Sequence, residues 1–296
     1  MGRRGPVQGR ASITDIYNET TMTRIHTIAR TGFIAALLAL SAPLFAAEGW
    51  TTLFNGRDLT GWTTWVSMQP TSDNMKAPTS VRGANHDPKH VFSVVDGMLR
   101  VSGEEWGAVS TVGDYENFHL KFDVKWGEKK WFPRLAAPRD SGLLYYAVGP
   151  DGAQSGHWMR SHEFQIQEGD CGDYHSLDGV TVDAHVGDAN QGDWKFYRYE
   201  PGLPLRTSLA ARILKRGSYE KPAGEWNTME VIADGTTLIH IVNGHEVLRA
   251  ENSRQKVDGQ FVPLTRGKFS IQSEGAEAFF RNIVVKKLEE SPRKGM

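Results

Sequence analysis

In residues 117–126, NFHLKFDVKW, every second side chain is apolar: Phe118, Leu120, Phe122, Val124 and Trp126 alternate with His119, Lys121, Asp123 and Lys125. A period of two puts each set on its own face of an extended chain, whereas a helix would scatter the five apolar groups around its circumference. The stretch is therefore predicted to be a strand with one buried face, and it needs a second layer to bury that face against. Similar runs recur at 107–112, 141–148, 162–167, 267–275 and 278–288. In VFSVVDGMLRVSG and NTMEVIADGTTLIHIVNGHEVLRA the runs are broken by Asp96-Gly97, Asp234-Gly235 and Asn243-Gly244, dipeptides that tolerate the positive φ angles of two-residue hairpin turns. Long amphipathic helical patterns are scarce beyond residue 47. The count, roughly ten or more strands, predicts an all-β chain folded as a two-sheet jelly-roll sandwich.

A 296-residue chain with 39% hydrophobic residues is long enough for one sizeable core. Its formal net charge of −1, with both signs interspersed, gives no electrostatic footprint for nucleic acid. Arg24 and Arg30 precede the apolar run GFIAALLALSA, and small residues follow it. That pattern predicts a signal peptide over 22–47, cleaved near Ala46 or Ala47, with 1–21 an upstream extension before Met22. The run is too short to span a membrane comfortably. The expected organisation is then a periplasmic or secreted domain at 48–288, with no membrane segment in the mature form, and a disordered tail at 289–296. Cys171 is the one cysteine, so no intramolecular disulfide can form. Two segments, about 64–90 and 169–222, read as long irregular loops rich in Gly, Pro, Asp and His, the kind that carry function.

The stretch SHEFQIQEGD, 161–170, raises the functional question. On a regular strand Glu163, Gln165 and Gln167 share one face and Phe164 and Ile166 the other. Glu168 would join the polar face only if the strand bulged after Gln167. A solvated face is one reading. A site is the other, favoured because the polar side carries carboxylates and amides and leads into a loop rich in His and Asp. His157, His175, His185, Asp173 and Asp188 would suit a divalent ion if that loop folded over the sheet, although no tight ligand spacing is present. Nothing in the spacing makes Cys171 a nucleophile.

GWTTLFNGRDLTGW at the start of the domain, DSGLLYY, HEFQIQE, KPAGEWNTMEV, HIVNGHEV and IQSEGAEAFFRNIVVKKL occur in that order across nearly all of 48–288. Together they resemble the 3-keto-disaccharide hydrolase family, which implies a concanavalin/laminin-G-like jelly roll. Many relatives carry Asn where Asp140 stands, Arg where Tyr146 stands and Asp where Glu168 stands. The spacing Glu163, Gln165, Glu168 also looks like the Glu-x-Asp-x-x-Glu strand of jelly-roll glycosidases, with an amide where those enzymes keep a tuning carboxylate. The family resemblance implies a small oligosaccharide or glycoside already oxidised at C3 of the sugar. The ketone acidifies C2–H, the C1 oxygen leaves by β-elimination, and water adds to the enone. This chemistry implies catalytic roles for Glu163, Glu168 and His175, and substrate contacts from Gln165, Asp140, Tyr145, Trp158, Arg160 and Glu274. One divalent metal, Mn or Ca, would be held by Glu163, His162 or His175, and no organic cofactor is expected. The alternatives are a conventional glycoside hydrolase using Glu163 and Glu168, and a non-catalytic carbohydrate-binding sandwich.

Overall fold

The structure is a computed structural model that describes residues 49–67 and 81–289. The proposed extension and signal segment (1–47), most of the proposed tail and residues 68–80 of the first long loop lie outside the described residues. In chain order the strands are β1 (Trp50–Thr52), β2 (Trp62–Val66), β3 (Gly83–Ala84), β4 (Phe92–Val95), β5 (Met98–Val101), β6 (Gly107–Thr111) and β7 (Phe118–Lys130). They continue with β8 (Asp140–Val148), β9 (Arg160–Gln167), β10 (Tyr174–Leu177), β11 (Thr181–Asp188), β12 (Tyr197–Tyr199), β13 (Leu205–Leu209) and β14 (Ile213–Leu214). The last are β15 (Asn227–Asp234), β16 (Thr237–Val242), β17 (His245–Val257), β18 (Gln260–Pro263), β19 (Lys268–Ser273) and β20 (Ala276–Lys287).

The strands form two layers. One runs β4–β5–β20–β7–β15–β16–β17, with β1 also on β20. The other runs β3–β2–β6–β19–β8–β9–β10–β14–β12–β11. The long strand β17 leaves the first layer after Ala250 and pairs with β11, which joins the layers at one corner. One apolar core lies between them. Phe118, Leu120, Phe122, Val124 and Trp126 of β7 are all buried in it, as the alternation requires, and Phe118 meets Tyr146 of the opposite layer edge-on at 5.6 Å between ring centroids. The jelly-roll sandwich is thus realised.

Two of the three expected turns sit where the sequence puts them: Asp96-Gly97 and Asn243-Gly244 both have positive φ at each residue. The third slips by one, because Asp234 pairs with Thr237 and leaves Gly235-Thr236 as the loop. A larger correction concerns 169–222, which is not an irregular loop. It carries β10 to β14, short strands that extend the second layer, and its period-two signal is too brief to stand out among the Gly and Asp residues that turn it.

Candidate functional site

Cross-strand register decides which side chains meet on the outer face of the second layer. Leu144 pairs with Glu163, Gly142 with Gln165, Asp140 with Gln167, and His175 with Glu163. On β19, Ser270 pairs with Leu144, so Gln272, two residues on, stands beside Gly142. The outer face therefore carries, across four strands, Gln272, Gly142, Glu163, Gln165 and His175, with Glu274, Asp140 and Gln167 in the adjoining row. Their opposite neighbours Phe164, Ile166, Leu143 and Ile271 enter the core. Glu163 and Gln165 are only 5% and 6% exposed, which excludes the simple solvated face.

Toward the other end of the same face lies a second apolar cluster of Trp106, Ala108, Leu144, Ala147, Trp158, Met159 and Leu177. Segment 149–159 supplies part of it: Trp158 stacks on Trp106 at 5.6 Å and donates its indole N–H to the carbonyl of Gly107. The acidic residues begin where this wall stops.

Loop 131–139, between β7 and β8, crosses from one layer to the other beside the crossing at 274–275, and Trp131 N–H donates to the Gly275 carbonyl at 2.8 Å. That junction places Arg134 between two acids, its guanidinium donating to both Asp140 and Glu274. Gln167 Nε2 also donates to Asp140 at 2.6 Å. On the far side Arg212 binds Asp173 and Asp170 at 2.6 and 2.7 Å. Glu163 and Asp140 lie within the electrostatic reach of both arginines.

Burial is the main cause that holds the Glu163 carboxyl well above the usual carboxylate range, and the negative charges of Glu274 and Asp140 add to it. Asp140 is raised for the same two reasons, against the pull of Arg134. Glu274 is raised by burial despite its ion pair with Arg134. His175 goes the other way, lowered to about 3 by burial and by Arg212, so its ring is a neutral imidazole near pH 7.

Of nine buried polar side-chain atoms without a hydrogen-bond partner among the described residues, five belong to this cluster: Gln272 Nε2 and Oε1, Asp140 Oδ1, Arg134 Nε and His175 Nε2, while Trp106 Nε1, His157 Nε2, Thr181 Oγ1 and Arg254 Nε lie outside it. Such groups are rare in folded proteins and costly, and they concentrate where a polar ligand completes them. The Glu163 carboxylate likewise forms no hydrogen bond among the described residues. Gly142 is the floor: a methyl built on its Cα would lie inside contact distance of both Gln272 Oε1 and Glu163 Oε1. Gly142→Ala is therefore expected to push these two groups apart and lower kcat/KM at least about tenfold with the circular-dichroism spectrum unchanged. A fully active alanine variant would mean the two groups do not act together.

Several expected site residues lie elsewhere. Glu168 does not come round, because no bulge follows Gln167. The strand ends there, and the Glu168 carboxylate is held by the Arg139 guanidinium at 3.0 Å in the following turn. Tyr145 cannot stack on a sugar: it is fully buried between the layers with its hydroxyl 2.8 Å from His240 Nε2. His162 belongs to the same interior, bonded to the Tyr174 hydroxyl and Ser253, and cannot reach a ligand shared with Glu163 on the opposite face. Arg160 is on that inward parity too, and its guanidinium binds Asp178 at the sheet edge. Trp158 is built into the apolar wall.

The proposed metal loop also disperses. His157 bonds Ser67, His185 bonds the Leu203 carbonyl, Asp173 holds Arg212, and Asp188 holds Arg206. Among the described residues no three His, Cys, Asp or Glu side chains are arranged to hold an ion, and of the three candidate ligands only Glu163 and His175 are neighbours. The residues present do not fit the predicted metal set. Cys171 is buried with its Sγ on the Gln167 carbonyl, and burial pushes its thiol up.

Sequence reasoning missed Arg134, Gln272, Gly142 and Arg212. Arg134 sits in a loop with no periodic signal. Gln272 was within reach, since it alternates with Ile271 in a strand that was recognised.

A family model described as a 3-keto-alpha-glucoside-1,2-lyase-like domain matches residues 49–286. No curated protein matches the chain. Among solved structures, the chain is similar to a candidate glycosyl hydrolase from Parabacteroides distasonis ATCC 8503, at 21% identity and TM-score 0.48, over 82% of this chain and 95% of that one. A galectin-like-fold protein from Bacillus subtilis is 16% identical, with TM-score 0.41 over 77% and 90% of the two chains. A β-glucanase from Bacillus licheniformis is 12% identical, with TM-score 0.39 over 78% and 94%.

Proposed function

Because the chain belongs to the 3-keto-alpha-glucoside-1,2-lyase-like domain family and is an enzyme of 3-keto-glycosides, we propose that the outer-face cluster is its active site and that Glu163 is the base. The observation that carries this reading is the Glu163 carboxylate itself, buried, raised in pKa and without a hydrogen-bond partner among the described residues, beside an unsatisfied Gln272 amide. A base for a carbon acid works best with its pKa raised toward the working pH, and a free carboxylate facing a ligand is able to take the proton.

In this mechanism Glu163 removes the C2 proton. Charge moves onto the C3 oxygen, where the unpartnered N–H groups of Gln272 and Arg134 can receive it. The bond from C1 to the glycosidic oxygen breaks as the C1–C2 double bond forms. Asp140, its pKa raised by burial and by Glu274, supplies a proton to the departing oxygen, and the neutral ring of His175 adds a hydrogen bond. Water then adds at C1 of the enone, giving up a proton to Asp140 while Glu163 returns its proton to C2, and the net reaction is hydrolysis. The conventional glycosidase alternative needs Glu163 and Glu168 on either side of one bond, and Glu168 is locked by Arg139 off the face. We also propose that 48–288 is a single catalytic domain, exported by the segment 22–47 to the periplasm or beyond, and that Gln165 and Glu274 contact the sugar.

The test is to incubate the purified protein with a disaccharide and with its 3-keto form, with and without chelator. Cleavage of the keto form alone, through an enone absorbing in the ultraviolet, is the expected result. Cleavage of both would sink the elimination mechanism, and tight binding without cleavage would leave a lectin. A chelator-sensitive rate restored by Mn or Ca would return a metal to the site.

A further inference from the structure

Beside the acidic cluster is a cavity of about 690 Å³ that the elimination chemistry does not use. It is built by β10, the segment between β11 and β12, and the segment from β13 to β14, all within the stretch 169–222 that matched no motif. His175 is common to both places: its backbone pairs with Glu163, and its ring lines the cavity with Nε2 buried and unpartnered. The cavity therefore adjoins the acidic cluster at the His175 ring.

Its walls are chiefly rings and hydrocarbon: Trp194, Phe196, Tyr197 and Leu209. Of the two cations that line it, Lys195 and Arg212, the latter is already held by Asp170 and Asp173 and lies over the Phe196 ring, 5.5 Å from its centroid. A second sugar in this space would present a hydroxyl at nearly every carbon, to be answered chiefly by Lys195, Thr207, Ser208 and the His175 ring. A flat aromatic group would find three rings to pack on. Trp194 is 72% exposed, the most exposed large apolar side chain among the described residues, so its ring is open to a ligand.

We propose that this cavity is the aglycone site and that it takes an aryl group, so that the preferred substrates are 3-keto-glycosides of phenols. The proposal rests on the elimination reading for its place in the reaction. A phenol fits the chemistry as well, because the C1–O bond then breaks toward a phenolate that needs little protonation.

The experiment compares methyl, phenyl and 2-naphthyl 3-keto-glucosides and a 3-keto-disaccharide on the wild-type protein and on Trp194→Ala. KM is expected to fall from methyl to naphthyl. The variant, altered at an exposed position, should raise KM for the naphthyl compound about tenfold and leave the methyl compound unchanged. Equal KM values across the series, or a variant that shifts methyl and naphthyl alike, overturns the aryl site. Calorimetric titration with the unoxidised 2-naphthyl glucoside separates the two claims. If no keto-glycoside is cleaved, the elimination reading fails, yet binding of this probe that weakens in Trp194→Ala still supports the cavity. Absence of binding in the wild type overturns it.

Discussion

Glu163→Gln is expected to lower kcat on a 3-keto-glycoside by about 10²- to 10⁴-fold with little change in KM. The amide keeps the shape of the side chain and its place over Gly142 but has no lone pair basic enough to take the C2 proton. The wild-type rate should rise with pH through the raised pKa of Glu163, whereas the residual rate of the variant should not follow that rise. The same substitution should stabilise the fold. The folded pKa of Glu163 lies above its unfolded value, so above the ordinary carboxylate range the native state holds a proton the unfolded state has released, and stability falls as pH rises. An amide removes that fall. Thermal unfolding should show the variant melting several degrees higher at pH 8 and close to wild type at pH 4, a gain of about 1–2 kcal/mol. A variant both inactive and less stable at pH 8 would assign Glu163 a structural role instead.

The alternation in β7 and β9 places Glu163 and Gln165 correctly, because a strand's two faces are set by local geometry alone. Asp140 and Glu274 could be proposed through their motifs. Tyr145 went astray by one residue's parity, since one step along a strand turns a side chain to the opposite face, and Glu168 because the bulge it needed after Gln167 does not form. Strand pairing, not strand identity, then assembles the site. Gln272 meets Glu163 only because β19 lies against β8, a pairing across about 130 residues that no local pattern encodes, and Arg134 arrives from a crossing loop. The cavity walls in 169–222 were hidden for a related reason, since strands of two to five residues carry too little periodicity to be told from loops.

Removing the charge that holds the acids together should have the larger effect on the fold. Arg134→Met retains most of the side-chain volume but leaves Asp140 and Glu274 buried beside each other with no cation between them. Breaking a buried ion pair by deleting one partner typically costs about 3–5 kcal/mol, which corresponds to roughly 10 °C in melting temperature for a domain of this size. The loss should depend on pH. Arg134 counteracts the burial that raises both carboxyls. Without it their folded pKa values climb further, the native state binds protons that the unfolded state has released above the ordinary carboxylate range, and the variant weakens as pH rises through the raised values. Toward pH 3, where both acids are largely protonated folded or not, the melting temperatures of wild type and variant should converge. The triple variant Arg134→Met, Asp140→Asn, Glu274→Gln should recover much of the stability at pH 8 and none of the activity, because it removes the repulsion without restoring the N–H donor to the C3 oxygen or the acid for the leaving group. A single variant whose melting point drops equally at every pH would mean that Arg134 acts through packing alone.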